Sequence, residues 1–430
     1  MIERRDMKIE IRNGRMIDPA QGIDAKQSLF IAGGYVVAIG APPDGWQANR
    51  VIDATGLTVI PGLVDLSVRL REPGFEYKAT LESEMAAAIA GGVTSLACPP
   101  DTDPVLDEPG LVEMLKWRAK SLNAAHVYPL GALTRGLGGE ELAEMGELAE
   151  AGCIGFSHAD APMPNTLVLY RTLQYASTFG YTVWLRPQDA FLAHDGVAHD
   201  GEVATRLGLP SIPASAETIA ISTITQLMEE TGARVHLCRL SSRGAVAQVR
   251  AAKKAGLRLT CDVAIHHLHL SDIDIGYFDS NCRLVPPLRS TRDRDALRGA
   301  VADGTIDAVC SDHSPVDDDG KQVPFGEAEP GATGVELLLP LALKMAQEDR
   351  QKLTDLVRWL AGAPAKILGI DAGHLRVGHD ADVCVFDASA FWRVERSALK
   401  SQGKNTPFLG LEVPGKVRYT LVNGQVVYEA

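Results

Sequence analysis

No run of apolar residues in this chain approaches the ~20 needed to span a bilayer as a helix. The N-terminal Met1-Ile-Glu-Arg-Arg is not followed by the apolar core that a secretory signal needs. The chain also lacks basic excess: its net charge of -13 excludes the positive surface that nucleic acid or an anionic membrane would require. Cysteine is sparse and unpaired in pattern. The seven residues Cys98, Cys153, Cys238, Cys261, Cys282, Cys310 and Cys384 are odd in number and sit mostly inside apolar runs, so they read as small buried hydrophobes and not as a disulfide frame. No internal repeat or low-complexity segment stands out. The expectation is a soluble cytoplasmic protein with no nucleic-acid or membrane partner.

What is present is a regular alternation. Short β-type runs occupy the N-terminal region from Met7 to Ala54, with turn chemistry at Asn13-Gly14 and Gly33-Gly34. The far C-terminus repeats this character, in the run from Asp382 and again around the turn at Asn423-Gly424. Between these ends lie eight runs of strand type: Leu63–Leu70, Val93–Cys98, His126–Leu133, Cys153–Ser157, Thr182–Arg186, Arg234–Leu240, Arg258–Ile265 and Ile306–Ser311. Stretches with apolar residues three and four apart separate most of them, for example Leu81–Ala90, Ala216–Glu230 and Ala245–Ala255. A further helix is expected at Lys352–Leu368. The pattern predicts an α/β fold: a TIM (β/α)8 barrel over residues 59–372, with a small antiparallel β-sandwich built from both chain ends, 1–58 and 373–430.

TIM barrels place chemistry at the C-terminal ends of their strands. Here those ends carry Ser67 and Arg69, Ser157 and His158, Arg186, Arg239, and Asp312-His313. Arginine stays protonated and has no lone pair to give, so it cannot ligate a metal. One aspartate with one histidine falls short of the three protein ligands of a catalytic zinc. The expectation is no metal and no cofactor. Asp312 is expected to pair with Arg69, Arg186 or Arg239 and so to be vestigial as a base. Three guanidinium groups could also receive a carboxylate or phosphate.

Pro61–Gly74 resembles the dihydroorotase signature Pro-Gly-x-x-Asp-x-His-x-His-x-Arg-Glu-Pro-Gly, with Ser67 and Arg69 in place of the two zinc-binding histidines. Gly91-Gly92-Val93-Thr94 and Pro99 to Thr102 are similar to further stretches of that family, with Asp101 where the family has a substrate-binding asparagine. Phe156–Ala159 resembles the segment that carries a metal-ligating acid in one branch. No acid stands in that register, although Asp160 is close. Arg186 and Arg239 stand where the family has metal-ligating histidines, and Val285–Arg289 lacks another substrate-contacting asparagine. Asp312 stands where the family has its proton shuttle, and Pro324-Phe325 with Gly334–Glu336 match the closing segment.

The resemblance covers nearly the whole chain. It implies a member of the cyclic amidohydrolases whose framework positions survive while the chemical ones mostly do not. In several bacteria such a chain accompanies aspartate carbamoyltransferase and is needed for its assembly or activity. The implied role is therefore a non-catalytic subunit of pyrimidine synthesis, in a homo- or hetero-oligomer, with the transferase catalytic subunit as partner. Two other readings stay open: a cyclic-amide hydrolase with an unorthodox site on Asp312 and His158, and a sensor that binds an anionic intermediate through Arg69, Arg71, Arg186 and Arg239. Arg71 holds the substrate carboxylate in the family and could equally be a structural ion-pair residue. The cluster His266-His267-Leu-His269 reads as packing. Asp317-Asp318-Asp319-Gly320 lacks the alternating acids of a calcium loop and reads as a mobile, solvated loop over the mouth.

Overall fold

The computed structural model describes residues 7–430. The stretch Met1-Ile-Glu-Arg-Arg therefore lies outside the described residues, and no helix among them is long and apolar enough to cross a membrane.

The central body is a TIM barrel. Its first strand, Leu63–Asp65, pairs in parallel with Val93–Cys98, which pairs with His126–Pro129. That third strand is interrupted at Leu130, whose N–H reaches Cys98 O at 2.9 Å, and resumes as Gly131–Ala132. From there the order runs through Phe156–Ser157, Thr182–Leu185, Arg234–Leu237 and Leu259–Ala264 to Ala308–Cys310. The barrel closes where Val68 bridges His313 in parallel, with Arg69 N to His313 O at 2.9 Å and His313 N to Ser67 O at 3.0 Å. The first run is thus a shorter strand than Leu63–Leu70. It bends after Asp65, because the Asp65 carboxylate accepts the N–H of Ser67 at 3.3 Å and of Ser311 at 3.0 Å.

Helices cover the outside, as in Leu81–Ala90, Thr166–Phe179, Ser215–Thr231 and Arg243–Lys254. Their starts are chemically marked: Thr80, Asn165 and Ser242 each cap a helix through a side-chain oxygen, satisfying N–H groups that have no partner within the helix. Buried Leu, Val, Ile and Ala from strands and helices form one continuous core. The run expected as a helix at Lys352–Leu368 is helical from Leu353 to Leu368, with a wider π turn at Arg358–Gly362.

Both chain ends enter one sheet, as expected, but its pairing is mixed. Lys8–Asp18 pairs antiparallel with Ile23–Ala32 and parallel with Arg50–Asp53 and Thr58–Pro61, while Val383–Arg393 joins from the other side against Thr58–Pro61. The result among the described residues is an eight-stranded sheet in place of an all-antiparallel sandwich. Its own core gathers Ile9, Ile11, Met16, Leu29, Ile31, Val383 and Leu421.

Candidate functional site

Six of the barrel strands deliver a charged side chain to the mouth. Arg69 follows the first strand, Asp101 the second, Asp160 the fourth, Arg186 the fifth, Arg239 the sixth and Asp312 the eighth. Arg69 donates Nε to Asp101 Oδ2 at 2.7 Å, Nη2 to Asp160 Oδ2 at 2.6 Å, and Nη1 to Asp312 Oδ1 at 3.3 Å and Ser314 Oγ at 2.8 Å. Arg186 donates Nε to Asp160 Oδ1 at 2.8 Å, Nη2 to Asp160 O at 2.6 Å, and Nη1 to Gln188. Arg239 donates Nη2 to Asp160 Oδ1 at 2.5 Å and Nη1 to Asp312 Oδ1 at 2.9 Å. Three guanidinium groups and three carboxylates thus form one network whose formal charges cancel.

Asp160 is its hub, since all three arginines bond it. Burial would push its carboxyl up, but Arg239, Arg69 and Arg186 together hold it far below the usual carboxylate range. Asp312 goes the other way. Burial raises its carboxyl, Arg239 and Arg69 offset only part of that, and the negative charge of Asp160 adds to the rise. Asp312 Oδ1 also accepts the Ser67 hydroxyl at 3.1 Å. The expectation that Asp312 pairs with an arginine holds for Arg69 and Arg239, and Arg186 turns to Asp160 instead.

A second tier holds Arg239 in place. Its backbone N–H bonds Asp262 Oδ1 at 2.6 Å, and Asp262 Oδ2 meets His236 Nε2 at 2.9 Å. The His236 ring lies against Trp184, with centroids 4.2 Å apart. At the strand ends Arg71, Ala159, Arg239 and Asp312 all adopt positive φ, between 48° and 63°. Non-glycine residues rarely adopt that conformation, and when they do it is often at ligand and active sites. The backbone of the mouth is therefore shaped like that of a working site.

The other sequence candidates are placed as follows. Arg71 makes no ion pair among the described residues. Its Nε donates to Pro315 O at 2.9 Å, and burial and the nearby Arg69 lower its pKa. The ion-pair alternative for Arg71 is thereby corrected: the left-handed backbone at Arg71 turns the side chain toward the Pro315 carbonyl. His158 is occupied, with Nε2 2.8 Å from Thr134 Oγ1 and Nδ1 2.9 Å from Ala161 O. It does not reach Asp312 by a hydrogen bond. His269 and His267 contact backbone carbonyls, as packing residues do. His267 Nδ1 is buried without a hydrogen-bond partner, and so is one ring nitrogen of His266. That nitrogen, His266 Nε2, lies 4.0 Å from Asp312 Oδ2, and burial followed by Arg239 lowers the His266 pKa to about 3. Asp318–Lys321 forms a short, solvated helical turn, and Arg396 Nη2 lies 2.7 Å from both carboxylate oxygens of Asp318.

Sequence reasoning missed Asp101 as an ion-pair partner and passed over Asp160 as a hub. The available signal was charge: three buried cations at one mouth require nearby carboxylates.

The barrel with its sheet domain is the architecture of L-hydantoinase (dihydropyrimidinase) from Arthrobacter aurescens, which superimposes with a TM-score of 0.88 over 98% of this chain and 96% of that one, at 25% identity. A D-hydantoinase structure gives a TM-score of 0.82 at 23% identity, a likeness of fold. The dihydro-orotase-like family matches residues 56–245, and the amidohydrolase family matches residues 172–427. A dihydroorotase-like protein of Pseudomonas putida is 46% identical, over 98% of this chain and 99% of that protein. The chain belongs to the dihydroorotase-like amidohydrolases. Other similar members include a dihydroorotase-like protein of Pseudomonas aeruginosa, 45% identical over 98% of this chain and 100% of that protein. A dihydroorotase of a Geobacter species is also 45% identical, over 99% of this chain and 100% of that protein. In this dihydroorotase-like chain the family framework is intact, and the mouth carries the ion-pair network described above.

Proposed function

We infer that this protein has exchanged the metal centre of its family for an ion-pair plug, and that it serves as a non-catalytic subunit of pyrimidine synthesis supporting aspartate carbamoyltransferase. The observation that carries the reading is the closure of the network. By resemblance Arg69, Arg186 and Arg239 stand at the family's ligand positions, and each is ion-paired with one or more of Asp101, Asp160 and Asp312, although Arg239 Nε is buried without a partner. The donor set does not fit zinc. Guanidinium has no lone pair for a metal, both His158 nitrogens are engaged, and His266 with Asp312 leaves the set short of three ligands. Without an activated water Asp312 has little to deprotonate. What the plug retains is the mechanical part of a metal site, tying the ends of the first, second, fourth, fifth, sixth and eighth strands together. Free and mostly buried cysteines agree with a reducing cytoplasm.

The test has two arms. Purified protein is assayed for metal held at the barrel mouth, scored as metal lost in Asp312→Asn and Asp160→Asn, and for ring opening of dihydroorotate, and both are expected to be absent. The chain is then co-expressed with an aspartate carbamoyltransferase catalytic subunit and sized. Co-elution in one larger hetero-oligomer is expected, with transferase activity dependent on this chain. Separate elution with indifferent activity would end the scaffold reading.

One observation favours a narrower form of the sensor reading. The Nη groups of Arg71 have no hydrogen-bond partner among the described residues, whereas the other three arginines are committed. An anion such as carbamoyl aspartate would therefore dock on Arg71 alone. Titration followed by Arg71→Met decides it: binding that survives the substitution rejects this site.

A further inference from the structure

Arginine and aspartate dominate the mouth, and two further histidines converge elsewhere. After the last barrel helix, Ala363–Leu368, the chain crosses to the sheet domain through Asp371, His374 and His379. His374 Nε2 lies 2.9 Å from Asp371 Oδ1 and His379 Nδ1 lies 2.7 Å from Asp371 Oδ2. The two rings stand nearly perpendicular, at 84°, with centroids 4.9 Å apart. One donor atom from each of the three residues falls within 4.8 Å of the others.

We propose that Asp371, His374 and His379 form a binding site for a borderline divalent transition ion of the zinc, cobalt or nickel class, clamping the crossing between barrel and sheet domain.

The crossing is held in shape before any ion arrives. Leu375 N donates to the buried Asp18 Oδ2 at 2.8 Å, which fixes the backbone beside His374. Val36 N reaches His379 O at 3.0 Å and Gly378 N reaches Val36 O at 2.8 Å, which zips the backbone of His379 to the strand Tyr35–Ile39. Gly373 has φ +74°, and a Cβ there would lie 2.5 Å from Ala361 O, so the loop is pressed against the preceding helical turn. The two imidazoles are thus positioned by the sheet domain and Asp371 by the barrel side. Asp371 is exposed at 68% of its side chain, so it can swing to widen the triangle. Tetrahedral zinc, with bonds of about 2.0–2.1 Å, spaces its ligands about 3.3 Å apart, a small adjustment from the hydrogen-bonded geometry.

The donor chemistry selects the ion. Two imidazoles and a carboxylate suit zinc, cobalt and nickel, while magnesium and calcium prefer oxygen ligands throughout. Three protein ligands leave coordination positions for water. On binding, the proton on each imidazole nitrogen facing Asp371 moves to that ring's other nitrogen or to solvent. For His374 the move displaces a long contact, Arg376 N to Nδ1 at 3.4 Å, and for His379 the other nitrogen is Nε2 of a half-buried ring. Imidazole binds a metal only in its neutral form, so protons compete with the ion for this site.

The experiment uses the full chain, stripped with a chelator and desalted, then dialysed against zinc. Cobalt is followed in parallel by its visible spectrum. A single retained equivalent is expected, with tetrahedral or five-coordinate cobalt bands. His374→Ala and His379→Ala are each expected to weaken binding about tenfold or more, and the double variant to bind none. Circular dichroism and melting with chelator present show whether these variants fold. Added zinc raises the melting midpoint of the wild type but not of the double variant. No retained metal in the folded wild type, or retention unchanged in the double variant, overturns the site. Asp312→Asn and Asp160→Asn separate this result from the function inferred above. Metal that is lost in those variants and kept in the double histidine variant would belong to the mouth, and would count against both readings. Absence of metal everywhere rejects the crossing site and leaves the non-catalytic reading standing.

Discussion

Arg239 Nη1 lies 2.9 Å from Asp312 Oδ1, and both side chains are almost wholly buried, at 4% and 6% exposure. Two opposite charges from the sixth and eighth strand ends are thus paired away from water. Removing one member of a buried, hydrogen-bonded ion pair typically costs about 3–5 kcal/mol, because the partner is left charged and dry. Arg239→Met is expected to lower the unfolding free energy by about 3 kcal/mol or more, read from denaturant titration. A loss within the ordinary range of surface substitutions would show that the network does not hold the strand ends together.

Asp160 sets the acid limb of stability. Its folded carboxyl is held well below the ordinary carboxylate range by Arg239, Arg69 and Arg186 against the effect of burial. The unfolded chain therefore binds the proton first. The stabilisation is fully present above the unfolded pKa, about 4, and drains away as pH falls below it. In Asp160→Asn this part of the slope is expected to vanish. Equal slopes below pH 4 in variant and wild type would contradict the hub assignment.

Asp65 gives the opposite sign. Burial raises its carboxyl to about 6, partly offset by the bonds from Ser311 and Ser67. The folded state binds the proton first, so stability falls as pH rises from about 4 to about 6. A shift of that size corresponds to about 2–3 kcal/mol. Asp65→Asn, which stays neutral, is expected to remove the decline across that window. Thermal melts at several pH values test this, and a decline that persists in the variant places its origin elsewhere.

Restoring the first strand alone is expected to fail. Ser67→His combined with Arg69→His returns two imidazoles, yet Arg186 and Arg239 still occupy the opposite side of the mouth. The same change frees Asp101 and Asp160 from one cation. A zinc site needs its whole ligand set and the groups that orient it. The double variant should hold no stoichiometric metal at the mouth and open no dihydroorotate ring. Measurable turnover would overturn the non-catalytic reading.

Much of this protein was decided by local chemistry that a linear reading can follow. Alternating apolar runs and capped helices specify a parallel barrel, since each pattern fits only one backbone period. Turn residues near both ends mark a second sheet. That Ser67, Arg69, Arg186 and Arg239 carry no metal-binding lone pair of imidazole type is also a fact of residue type. Tertiary structure alone decided what these arginines meet. Asp101 and Asp160 lie three residues beyond the ends of their strands, where nothing in the one-dimensional pattern says which way a carboxylate will turn. Only closure of the barrel brings residues 69, 101, 160, 186, 239 and 312 within hydrogen-bonding distance. The mixed pairing of the sheet has the same origin. It depends on contacts between segments far apart in the chain, whose geometry is set by packing and not by the residues' own preferences.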